Sequence, residues 1–152
     1  MFEKMLTAYY DEIFRYCYHH VGSKETAEDL CQDTFVSFLE HRSDYHSRGK
    51  MKNYLYTIAR NKCIDHHRKT GPIYMERLPE TMEDNRFERS AEIADLVDKL
   101  PEELKEVIIL CFYQGLKYRE IAGILGIGVS RIKYLAAKAL DLLEKEVRSD
   151  ET

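Results

Sequence analysis

Five side chains late in the chain have the types and spacing of a DNA-reading surface: Ser130, Arg131, Lys133, Tyr134 and Lys138. An arginine presents a planar fork that matches the O6 and N7 acceptors of guanine, so Arg131 is the candidate base reader. Lysines meet phosphates as point charges, which suits Lys133 and Lys138. Tyr134 has a ring for a thymine methyl and a hydroxyl for the backbone, and Ser130 is also placed to cap a helix. At helical pitch these residues fall opposite Ile132, Leu135, Ala136, Ala139 and Leu143, which form a core stripe. A second basic set comprises Arg48, Lys50, Lys52, Asn53, Arg60, Asn61, His67, Arg68 and Lys69. Tyr45, Tyr54 and Tyr56 lie among them, and rings beside positive charge suit unstacked bases of single-stranded DNA. A third set, Asp29, Gln32 and Asp33, forms a polar ridge suited to a basic protein partner. Bland readings accompany each set: solvated helix faces, a core role for Tyr54, and acids that favour a helix N-terminus at Glu25 and Glu28.

Catalytic chemistry finds no support. Cys63-Ile64-Asp65-His66-His67 and Cys17 with His19 and His20 lack the standard spacing of zinc ligands. Phosphate-binding glycine loops, nucleophile elbows and His-Glu-x-x-His runs are absent. Asp65 and Lys62 are expected toward the buried side of their helix, each paired within the domain. The sequence therefore predicts no enzyme, no metal and no cofactor.

The elements that must carry these residues are helical throughout, giving an all-α class. A first helix spans roughly 2–21, with Phe2, Leu6, Tyr9, Ile13 and Cys17 on one stripe. Gly22-Ser23 breaks it, and Ser23 caps a second helix running to about 40. That helix turns Ala27, Leu30, Cys31, Thr34, Phe35, Phe38 and Leu39 inward. A third, from about Lys50 to His67, buries Met51, Tyr54, Leu55, Ile58 and Ala59, and Thr70-Gly71-Pro72 ends it. Beyond an acidic stretch, a short helix carries Ile93, Leu96, Val97 and Leu100. Pro101 opens the next, which buries Leu104, Val107, Ile108 and Cys111 or Phe112 before Gly115 stops it. A short helix over 118–125, a turn at Gly126 and a long helix from Val129 to about Val147 form a helix-turn-helix. The expected organisation is a helical domain over 1–71, a flexible linker over 72–89 and a helix-turn-helix domain over 90–148.

Charge follows this division. The chain of 152 residues carries a formal net charge of -4, unusual for a DNA binder. Residues 1–40 sum to -5, 41–71 to +6, 72–106 to -6, 107–140 to +4 and the remainder to -3. Two basic segments alternate with acidic ones, so the chain is able to hold DNA at two places and repel it elsewhere. The free protein is then expected to bind DNA weakly. Four dispersed cysteines read as reduced thiols. With neither a signal segment nor an apolar run long enough for a membrane, a cytoplasmic protein without membrane insertion is expected.

Three segments, in order, resemble the sigma-70 family of bacterial RNA polymerase sigma factors in its minimal extracytoplasmic-function form. AEDLCQDTF, Ala27 to Phe35, within the longer match Tyr9 to Phe38, looks like the core-binding part of region two. NYLYTIARNKCIDHHRK, Asn53 to Lys69, looks like the part that melts and reads the -10 element. Leu100 to Leu140 resembles region four, the reader of the -35 element. Gly128 departs from the family's usual proline or small polar residue, and Tyr54 stands where a tryptophan is usual. The resemblance implies a non-enzymatic subunit that binds core RNA polymerase and directs initiation at promoters. Asp29, Leu30, Gln32, Asp33 and Phe35 would contact the largest polymerase subunit, and region four would rest on the flap of the other large subunit. Arg60, Asn61, Asp65, His66, Arg68 and Lys69 would lie at -10 strand opening, with the loop Asp44 to Gly49 a site of base capture. The partners implied are core polymerase, promoter DNA as duplex and as melted single strand, and an anti-sigma factor. Two rival readings use the same residues: a stand-alone helix-turn-helix regulator that dimerises on a palindrome, and a sigma-like polymerase-binding module without promoter reading.

Overall fold

Ser23 decides where the second helix begins. Its hydroxyl accepts the Thr26 amide at 3.4 Å, while Gly22, at φ 70°, turns the chain between the first two helices. The computed structural model describes residues 2–41, 51–70 and 91–151. Those residues are helical with short connections: α1 Phe2–Val21, α2 Lys24–Glu40, α3 Met51–Thr70, α4 Ala91–Asp98, α5 Glu102–Ile108, α6 Tyr118–Leu125 and α7 Val129–Glu151. A single π-helical turn, Ile109–Tyr113, prolongs α5. The chain divides into two compact units, Met1–Leu78 and Pro79–Thr152. The expected linker, 72–89, lies outside the described residues.

In the first unit α1, α2 and α3 pack against one another. Ile13, Tyr16, Cys17 and Val21 meet Ala27, Cys31 and Phe38 of α2 and Leu55, Tyr56, Ala59 and Cys63 of α3, all buried. Rings lock this core: Tyr16 meets Tyr56 edge-on at 5.3 Å, and Phe38 meets Tyr54 at 5.8 Å. Two expectations fail here. Leu39 is 41% exposed, on the outer side of α2. Tyr56 is fully buried, so it presents no ring to a base.

In the second unit α7 packs on α4, α5 and α6. Of its predicted stripe, Ile132, Leu135, Ala136 and Ala139 are buried and Leu143 is half-buried. Helix α5 is central, and Val107, Ile108, Ile109 and Leu110 are all buried in succession. A single apolar face cannot hold four consecutive residues, since they span most of the helix circumference. Neighbours on several sides and the π turn accommodate them. Of the two alternatives expected to follow Ile108 inward, Cys111 is half-buried and Phe112 is exposed. Ile93 of α4 is also exposed. Among the described residues no helix is long and apolar enough to cross a membrane.

Candidate nucleic-acid and polymerase interfaces

The helix-turn-helix is built on one backbone conformation. Gly126 has φ 71°, and its amide bonds the Ala122 carbonyl at 2.8 Å, which closes α6 and redirects the chain. The start of α6 is held by the Glu120 side chain, which accepts the Lys117 amide at 3.0 Å. Gly128 then caps α7, its carbonyl accepting the Ile132 amide at 3.1 Å. Ser130 therefore sits inside the first turn of α7 and is not the cap.

Ser130, Arg131, Lys133, Tyr134 and Lys138 are all exposed on the side of α7 away from its core. Three of them are organised around one ring. The Arg131 guanidinium carbon lies 5.4 Å from the centre of Tyr134, and the Lys138 ammonium 5.9 Å. Arg131 also donates to Glu103 Oε1 of α5 at 3.3 Å. Sequence reasoning missed Glu103, because residues on different helices share no periodic signal.

Helix α3 carries the second basic surface. Asn61, Arg68 and Lys69 are exposed, and Asn53, Arg60, His66 and His67 are half-buried. Arg68 lies 4.0 Å from Asp65. Asp65 is exposed, so it is paired as expected but not on a buried side. Lys52 turns toward α1, its Nζ 3.7 Å from Glu12 Oε1. The same carboxylate oxygen accepts the Tyr56 hydroxyl at 2.6 Å. Ile64, unremarked in the sequence, is 38% exposed. Its helical phase places it beside Asn53, Asn61 and Arg68. Arg48, Lys50, Tyr45 and the loop Asp44 to Gly49 lie outside the described residues.

Helix α2 presents a mixed face. Asp29, Gln32 and Asp33 are exposed and Leu30 is half-buried. Phe35, expected at a partner surface, is only 9% exposed and stacks on Tyr10 at 5.6 Å, so it belongs to the core. The exposed apolar residues of this helix are Val36 and Leu39. In the second unit, exposed Ile93, Phe112, Leu140 and Val147 line a groove of about 460 Å³ whose walls are almost wholly apolar. Isolated exposed apolar side chains are ordinary, but four along one groove mark a surface suited to a protein partner.

Burial, with the neighbouring Cys17 thiol, pushes the Cys31 thiol up to about 12, so it stays protonated. Among the described residues no cluster of His, Cys, Asp and Glu is arranged to hold a metal ion.

Comparison with known proteins follows this division of the chain. Residues 5–72 match the model of Sigma-70 region 2, and residues 90–143 that of Sigma-70, region 4. The RNA polymerase sigma factor YlaC of Bacillus subtilis is 32% identical over 162 residues, covering 98% of this chain and 94% of YlaC. The ECF RNA polymerase sigma factor BldN of Streptomyces coelicolor is 31% identical over 161 residues, covering 98% of this chain. The chain spans only 61% of the length of BldN. The fold matches that of the sigma factor RpoE of Bartonella quintana, solved with the anti-sigma factor NepR, at a TM-score of 0.82 and 21% identity. That match covers 98% of each chain.

Proposed function

Since the chain belongs to the sigma-70 family, in its extracytoplasmic-function form, we propose that it joins core RNA polymerase and directs initiation at promoters read through two elements. It acts as a specificity subunit and performs no chemistry of its own. The observation that carries this reading is the exposed cluster of Arg131, Tyr134 and Lys138 on the second helix of a helix-turn-helix, free of core packing. That helix enters the major groove at the -35 element, with Arg131 toward a base and Lys133 and Lys138 toward phosphates.

The exposed side of α3 serves the -10 element. Asn61, Arg68 and Lys69 bind the backbone and bases of the opened strand, with Arg60 and His67 beside them, and Ile64 adds an apolar surface for an unstacked base. Lys52 contributes less than a free lysine would, because Glu12 already neutralises it. The segment from Asp44 to Gly49 is the candidate for base capture beside this helix, and Arg48 and Lys50 add positive charge to it. The acidic face of α2 docks on the largest polymerase subunit through Asp29, Gln32 and Asp33, with Val36 and Leu39 replacing Phe35 as the apolar contacts. The apolar groove of the second unit rests on the flap of the other large subunit, and an anti-sigma factor competes for these surfaces. Residues 1–71 and 90–148 act as the two readers, joined by 72–89.

Run-off transcription with core polymerase on a library of genomic fragments tests the reading. Transcripts from fragments sharing two elements at fixed spacing support it. A chain that joins no polymerase, or that dimerises on a palindrome without it, contradicts it.

A further inference from the structure

The pair Glu103–Arg131 joins the first turn of α5 to the first turn of the reading helix across 28 positions of sequence. Both side chains are about half exposed, at 55% and 51%. An ion pair so open to water adds little to stability, so holding the fold together is a poor account of it. Its geometry has a different consequence. The Tyr134 ring lies against the guanidinium at 5.4 Å, while Glu103 takes one hydrogen of the terminal nitrogen Nη2 at 3.3 Å. A guanidinium has five donor hydrogens, and a guanine edge needs two of them. Arg131 thus keeps enough donors to read a base while two neighbours restrict its rotamers.

Glu103 also places a negative charge beside a surface that must approach phosphates. That charge opposes the approach of every duplex equally, so it lowers affinity for all sequences alike and does not itself choose a base.

We propose that Glu103 is a positioning residue for the base reader: with Tyr134 it holds Arg131 in place so that the guanidinium meets a guanine edge. The proposal rests on the promoter-reading function above and names the control of specificity within it. Its closest structural support is the convergence of a carboxylate and an aromatic ring on a single exposed guanidinium.

The test uses the full chain with core polymerase on promoters of fixed -10 element, with each -35 position varied in turn. Arg131→Ala locates the position that Arg131 reads, as the one where guanine preference disappears. At that position Glu103→Ala is expected to lower the preference for guanine by about two- to fivefold, the range that an exposed ion pair supports. It should do so while binding templates with other bases as well as, or better than, the unaltered protein. Glu103→Gln keeps the acceptor and drops the charge, and should retain more of the preference while tightening binding to all templates. Thermal melting of both variants should match that of the unaltered protein. Equal weakening on every -35 sequence, or an unchanged preference, overturns the role of Glu103. If the unaltered protein shows no base preference anywhere in the element, the promoter reading itself falls, and the role of Glu103 with it.

Discussion

The Tyr56 hydroxyl donates to Glu12 Oε1 at 2.6 Å, from a ring with no exposure to solvent. An aromatic residue in a basic helix thereby becomes an internal strut between α3 and α1. The bond is charge-assisted and part-buried, and Lys52 shares its acceptor. Tyr56→Phe keeps the ring and removes only this bond. It should cost roughly 1–3 kcal/mol of stability, read as a lower thermal midpoint. Promoter opening at a temperature where the variant is folded should be unchanged. Loss of opening with an unaltered midpoint would restore a direct DNA role for Tyr56.

Gly126 makes a second prediction, one with no packing component. A Cβ added there meets nothing within 4 Å, yet the residue has φ 71°. Gly126→Ala should therefore destabilise the second unit by ~1–2 kcal/mol through backbone strain alone. Gly126→Asn should cost less, since asparagine tolerates the left-handed region better. Urea unfolding of the two variants checks the order, and equal costs would assign the effect to something other than backbone conformation.

Acid sensitivity is expected from His19. Burial, then the nearby His20 and Arg15, pushes its imidazole down to about 4 from the ordinary 6.5. The folded protein favours the neutral ring, so below about pH 6.5 the unfolded chain takes up a proton that the folded one refuses. Stability from this group is complete above that pH and is lost as pH falls toward 4, by at most ~1.4 kcal/mol per pH unit. Thermal midpoints at pH 7 and pH 5 measure the slope. His19→Gln should flatten it, and a slope unchanged in that variant would place the sensitivity elsewhere.

Legibility in the sequence followed how each helix is surrounded. Helix α7 turns its first four turns against neighbours on one side, so its pattern is one apolar stripe and one polar face, and Ser130, Arg131, Lys133, Tyr134 and Lys138 were identifiable as outward from pitch alone, though exposed Leu140 was not. Capping chemistry at Ser23 and Gly126 was equally local and equally readable. Helix α5 has neighbours on several sides and a π turn, so strict helical phase left Cys111 and Phe112 undecided and overlooked Ile109 and Leu110. In α2 the phase runs close to the boundary of the core: it placed Phe35 inward correctly and Leu39 inward wrongly, while the partner role for Phe35 came from the resemblance alone. Tyr56 misled because its type suits both a base and a buried hydroxyl bond, and only the position of Glu12 separates the two. Glu103 was invisible for the same reason: a pair between separate helices is a property of packing, which no local pattern encodes.

The central claim is that two separate exposed helical faces hold two different stretches of one promoter. Photo-crosslinkers placed at Tyr134 on α7 and at Asn61 on α3 test this most directly, in the complex with core polymerase on a single promoter. Crosslinks are expected from position 134 to duplex DNA at the -35 element, and from position 61 to the melted strand at the -10 element. Crosslinks from both positions to the same stretch, or from neither, would contradict it.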